Sequence, residues 1–126
     1  MDIRIDSSEA RPRARLCFEA KRLDPNHGTS DYLGSEGLER YLDGRYARDE
    51  MAAGMLGYAQ AGNPADWGVK IGQAMTRDAG KVGLLKSSPW RSAQLAPELP
   101  FTYRSGHERP TVGAPIEIFH TLLLFN

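Results

Sequence analysis

Polar and apolar residues alternate at the start of the chain, Asp2-Ile3-Arg4-Ile5-Asp6, a period-two pattern that predicts a strand. The polar stretch Ser7 to Arg13, with Pro12, predicts a turn, and Ala14 to Ala20 a second strand that returns antiparallel to the first. After the loop residues Asp24-Pro25-Asn26-His27-Gly28, the positions from about Ser30 to Tyr46 predict a helix. Ser30 or Asp31 would cap it, Leu38, Tyr41 and Leu42 would form its buried stripe, and Glu36 and Arg40 an exposed i, i+4 pair. The small and apolar run Met51 to Ala59 predicts a buried parallel strand in which Gly54 and Gly57 admit a close helix.

Asn63-Pro64 predicts a capped helix start. Trp67, Ile71, Ala74 and Met75 follow at helical spacing to about Asp78, with Gly80 ending the helix. Residues 80–99 read as irregular. Phe101 to Arg104 and Ile116 to Phe125 predict two last strands, the second apolar on both faces. The order is ββαβαββ, an α/β domain built on a mixed sheet flanked by helices, one domain over residues 1–126.

At 126 residues, 40% hydrophobic and 25% charged, the chain is long and apolar enough to bury a core. No apolar run is long enough to span a bilayer and Met1–Asp6 is no signal peptide, so a cytoplasmic protein with no membrane partner is expected. The one cysteine, Cys17, excludes an internal disulfide and suits a reducing compartment. The formal net charge is zero, which argues against strong nonspecific DNA binding. Residues 70–109 nevertheless carry seven basic and three acidic side chains. A local basic segment fits a nuclease whose metal site is acidic, and fits a solvated loop about as well.

The chemistry concentrates in Phe18-Glu19-Ala20-Lys21-Arg22. Alternation along a strand puts Glu19 and Lys21 on one face. Hairpin geometry sets Asp2 opposite Glu19 or within one residue of it, whereas Asp6 falls near Arg15, roughly 13 Å along the strand. Asp2 and Glu19, with the Ala20 carbonyl, could then share Mg²⁺ or Mn²⁺, a cation that takes few carboxylates and keeps waters and phosphate oxygens. Lys21 would orient a water or stabilise developing charge. Arg22 would meet a phosphate only if the strand ends there. In the loop after the Phe101 strand, Arg104, His107 and Arg109 are further phosphate-contact candidates. A plain solvated loop is the commoner role for such residues. His120 shares a face with Ile116, Ile118, Leu122 and Leu124 and reads as a hydrogen-bonded core histidine. Tyr41, Arg45 and Tyr46 could face the site, though the spacing of Tyr41 favours the core. Gly68-x-x-x-Gly72 reads as a helix-packing surface.

Asp2-(x16)-Glu19-Ala20-Lys21 followed by helix and strand resembles the PD-(D/E)XK superfamily of restriction-endonuclease-like nucleases. Phe18-Glu19-Ala20-Lys21-Arg22-Leu23, Gly37-Leu38-x-Arg40-Tyr41, Ala53-Gly54-Met55-Leu56-Gly57-Tyr58, Tyr103-Arg104-Ser105-Gly106-His107-x-Arg109 and Ile116-Glu117-Ile118-Phe119-His120 resemble an uncharacterised bacterial group within it. The resemblance implies a restriction endonuclease-like core and Mg²⁺-dependent hydrolysis of DNA phosphodiesters, in a restriction or phage-defence setting. Asp2, Glu19 and Lys21 match the catalytic positions. The chain departs from that pattern at its start, because a helix and a first strand precede the motif strand in the family and Met1 stands where a proline is usual. The expectation is therefore a nuclease-like domain incomplete at its N-terminus, with a homodimer or a partner protein covering the place of that helix. The alternative is an inactive or truncated member of the fold that binds nucleic acid or a partner.

Overall fold

A computed structural model describes residues 2–6 and 15–125, with side chains from Phe18 to Phe125. The expected turn at Ser7–Arg13 lies outside the described residues. The elements are β1 (Asp2–Asp6), β2 (Arg15–Leu23), α1 (Thr29–Leu33), α2 (Glu39–Leu42), β3 (Ala52–Ala59), α3 (Pro64–Arg77), α4 (Ala79–Val82), β4 (Arg91–Ser92), β5 (Thr102–His107) and β6 (Ile116–Leu124). The strands form one mixed sheet in the order β1-β2-β3-β6-β5-β4. β2, β3 and β6 are mutually parallel, and β1, β5 and β4 add antiparallel strands at the two sides.

The α/β class and the mixed sheet are as the hydrophobic pattern predicts, but the element order ββαβαββ needs correction. The predicted helix from Ser30 to Tyr46 is two short helices, and residues 80–99 hold one helical turn and the two-residue strand β4. Glycine in a helix interior costs about 1 kcal/mol relative to alanine, and this segment carries three, Gly34, Gly37 and Gly44, the first two at the break between α1 and α2. The chain instead turns back on itself there, with the Leu38 amide donating to the Tyr32 carbonyl at 2.9 Å. The turn gathers Tyr32, Leu33, Leu38 and Tyr41 into the core. Neither Ser30 nor Asp31 caps α1, whose N-cap is Gly28 with no side-chain bond. α3 starts as predicted, Asn63 Oδ1 accepting the Asp66 amide at 2.9 Å and Pro64 in the first turn. It ends at Arg77 with Asp78 as its C-cap, a residue from the expected end, but Gly80 is not its terminator: it lies inside α4, which closes on Gly83 in the left-handed region (φ 64°).

The crossovers β2–α1–α2–β3 and β3–α3–α4–β6 step in the same direction across the sheet and join parallel strands. Right-handed crossovers stepping the same way lie on the same side. Helices flank the sheet as expected, packing on the face that carries Glu19, Lys21, Met55, His120 and Leu122. Tyr32 of α1 contacts His120, Gly68 of α3 lies against Tyr103, and the Val82 carbonyl of α4 accepts from His107. The opposite face presents Arg22, Leu56, Tyr58, Phe119 and Leu123, none of them fully buried. Gly54 and Gly57 admit neighbouring strands' side chains more than a helix. A Cβ at Gly54 would stand 2.5 Å from the Phe18 ring, and one at Gly57 within 2.8 Å of Leu122 and Leu23. Gly68 and Gly72 do serve packing, against Tyr103 and Trp90, whose rings stack at 4.9 Å.

A buried chain of hydrogen bonds crosses this core. Tyr32 Oη, His120, Ser105 Oγ and His107 are joined at 2.8, 2.8 and 2.7 Å, and His107 Nδ1 lies 2.8 Å from the Val82 carbonyl. A carbonyl only accepts, so His107 carries its proton on Nδ1 and its Nε2 accepts from Ser105. His120 Nε2–H then donates to Ser105 Oγ, and His120 Nδ1 accepts from Tyr32. Each donor has one acceptor when both rings are neutral. His120 is thus the hydrogen-bonded core histidine that the strand parity predicts. Ser105→Ala would strand one donor and one acceptor, both buried. It is expected to lower the urea unfolding free energy by about 2 kcal/mol, and an unchanged midpoint and slope would contradict this proton order.

Candidate active site

The register of β1 on β2 pairs Asp2 with Glu19 and Asp6 with Arg15, as hairpin geometry predicts. The side chain of Asp2 lies outside the described residues. Among the described residues β1 pairs with β2 from Arg15 to Glu19, and β3 continues beside β2 to Leu23. The last residues of β2 border a cleft of ≈ 590 Å³, lined by Ala20, Lys21, Arg22, His27, Glu36 and Tyr58 among others. It sits at the carboxyl ends of parallel strands, where open α/β sheets commonly place ligands.

Glu19 is 8% exposed. Its Oε1 accepts from Arg40 Nη1 at 3.0 Å, while Arg40 Nη2 donates to the Glu36 carboxylate. One guanidinium thus spans two carboxylates, one rooted on β2 and one in the turn before α2. The Arg40 hydrogen bond and charge hold the Glu36 carboxyl below its usual range, and Lys21 contributes from nearby. Glu36 in turn raises the Arg40 guanidinium. Lys21 follows Glu19 on the same strand face and is partly exposed at the cleft.

The other candidates separate from this site. β2 runs on to Leu23, so Arg22 belongs to the opposite sheet face, although it borders the cleft. It is 49% exposed, with Asp24 at 3.9 Å. Arg104 pairs with Phe119 on β5, three strands from β2, and lies 3.9 Å from Glu117. At about 4.8 Å per strand step it stands roughly 14 Å away across the sheet. His107 and Arg109, expected as phosphate contacts in an open loop, are buried at 0% and 2% exposure. β5 extends through His107, whose ring belongs to the chain of bonds above. The five N–H donors of Arg109 all go to main-chain carbonyls, those of Tyr41, Ala47, Arg48, Glu50 and Ala114. Tyr41 is core, its hydroxyl donating to the Gly54 carbonyl at 2.6 Å, and Tyr46 packs edge-on against it. Arg45 is held by Asp43 and the Ser35 carbonyl.

Arg40 is the site residue that sequence reasoning missed. Its spacing from Glu36 is visible in the sequence, but the turn at Gly34–Leu38 that carries it onto Glu19 is a tertiary feature. Among the described residues no group of three or more His, Cys, Asp or Glu could hold a metal ion. Magnesium needs fewer, one or two carboxylates completed by water and substrate oxygens. Glu19 with Asp2 in register, an aspartate at the paired position, meets that requirement by donor chemistry, and Ala20 borders the same cleft. No helix among the described residues is long and apolar enough to cross a membrane. No protein-family model, curated protein or solved structure matches the chain.

Proposed function

We propose that this chain is a restriction-endonuclease-like nuclease that hydrolyses DNA phosphodiesters with Mg²⁺ or Mn²⁺. The observation that carries the reading is the pairing of Asp2 with Glu19, with Lys21 two residues on along the same strand and beside an open polar cleft. Glu19 and Asp2 hold the cation, with the Ala20 carbonyl as an additional oxygen. The cation, when bound, lowers the pKa of a water and offsets charge on the attacked phosphate. Lys21 orients that water or stabilises the charge that develops. The parallel β2 and β3 joined through α1 and α2 support the same core, since the motif strand is followed there by helix and then strand.

The second reading, a nuclease fold without turnover, is favoured by one feature: Arg40 already occupies the Glu19 carboxylate. Cleavage of supercoiled plasmid separates the two. Wild type is expected to nick or linearise it only with Mg²⁺ or Mn²⁺, and Glu19→Ala and Lys21→Ala each to lose the activity while keeping wild-type circular dichroism. Equal cleavage by all three proteins, or none by wild type with either metal, sinks the proposal.

A further inference from the structure

We infer that Arg40 is a placeholder cation on Glu19, a positioning residue that yields the carboxylate to the divalent metal while Glu36 keeps hold of it. The inference rests on the nuclease reading and extends it to a residue outside the motif. Its basis is the forked contact: Nη1 on Glu19 Oε1 at 3.0 Å and Nη2 on Glu36, from a side chain 31% exposed. Glu19 is almost fully enclosed, and a buried carboxylate without a counter-charge is costly. Arg40 supplies that counter-charge when no metal is bound. The two arms of a guanidinium are independent donors, so loss of the Glu19 bond leaves the Glu36 bond in place. Glu36 is 65% exposed and outside the enclosed part of the site, which suits a tether that does not itself compete for the cation.

The consequences run in opposite directions for the two ends of the fork. Arg40→Ala removes the competitor and is expected to tighten Mn²⁺ binding about fivefold, the weight of a partly exposed ion pair. Arg40→Lys keeps a positive charge within reach and returns the affinity close to that of wild type. Glu36→Ala leaves Arg40 with Glu19 as its one carboxylate partner among the described residues and weakens Mn²⁺ binding. Isothermal titration of Mn²⁺ into the folded full chain reads all three, with thermal melts to confirm folding, and plasmid cleavage is not needed.

Tighter binding in Arg40→Ala, rescue in Arg40→Lys and weaker binding in Glu36→Ala support the placeholder. Unchanged or weaker binding in Arg40→Ala overturns it, as does an Arg40→Lys variant that behaves like the alanine. Glu19→Ala separates this failure from that of the nuclease reading. Mn²⁺ binding lost in Glu19→Ala but unaltered in Arg40→Ala removes the placeholder alone. Binding that ignores Glu19→Ala, or no binding by wild type, removes both.

Discussion

Arg109→Ala is expected to lower the unfolding free energy by about 4 kcal/mol, enough to leave a domain of ordinary stability largely unfolded at modest urea. The reason is the number of groups that one side chain satisfies. Arg109 is 2% exposed, and its guanidinium gives its five N–H donors to five main-chain carbonyls. Three of those carbonyls, on Ala47, Arg48 and Glu50, belong to the segment between α2 and β3, that of Tyr41 lies in α2, and the fifth, on Ala114, belongs to the turn before β6. Arg109 therefore fixes the path of a segment that includes Ala47 with φ of 53°, a left-handed conformation unfavourable for a residue with a Cβ. Truncation takes a donor from each of the five carbonyls, of which Tyr41 and Ala47 keep the main-chain amides of Gly44 and Glu50, and opens a gap beneath Tyr41 and α2. Arg109→Lys keeps the charge but offers three donors from one point, and a loss of about 2 kcal/mol is expected from the carbonyls it abandons. Urea titrations followed by tryptophan fluorescence measure both. A lysine variant as stable as wild type would show that charge, rather than the planar fork, is what the site requires.

Acid is expected to destabilise the fold before its carboxylates titrate. Burial pushes the His107 imidazole down to about 4 from an ordinary 6.5, and moves His120 well below its ordinary value, with charge repulsion from His107 adding to it. The unfolded chain then binds more protons than the folded one between those values, so stability rises with pH across that window and falls as pH drops from 6.5 toward 4. For His107 the loss between pH 7 and pH 5 is about 2 kcal/mol, and His120 adds to it with the same sign. The hydrogen-bond order explains why the neutral forms are held. A proton added to His107 Nε2 would face Ser105 while Ser105 already accepts from His120, leaving the serine hydroxyl hydrogen without its partner. Denaturant midpoints at pH 7, 6 and 5 read the slope, and ring proton shifts of both histidines read the cause. Rings that titrate near 6 in the folded protein, or a flat stability profile over that range, would refute the account.

The sequence is most legible where structure is local or where a hairpin converts spacing into register. The alternation of Asp2–Asp6 and Ala14–Ala20 predicts two strands, and counting from the turn pairs Asp2 with Glu19. Asn63-Pro64 with Trp67, Ile71 and Met75 locates α3 to within a residue or two, because a cap, a proline and a stripe agree there. The split between α1 and α2 was within reach, since Gly34 and Gly37 lie at the break, but the apolar spacing of Leu38, Tyr41 and Leu42 reads through it.

What only the tertiary structure decided is the company that the polar side chains keep. Strand alternation establishes that Glu19 and Lys21 share a face, yet nothing in a one-dimensional pattern says that Arg40 closes onto Glu19 from 21 residues away. Arg109 and His107 look like solvated loop residues in sequence because their flanks are glycine and proline. Burial reverses that reading, since their partners are carbonyls and a serine brought in by packing. Local periodicity fixes which way a side chain points relative to its own strand or helix. The chemistry it can perform depends on which distant groups meet it there, and that is settled by the direction of the two crossovers and the packing of the helices on one face of the sheet.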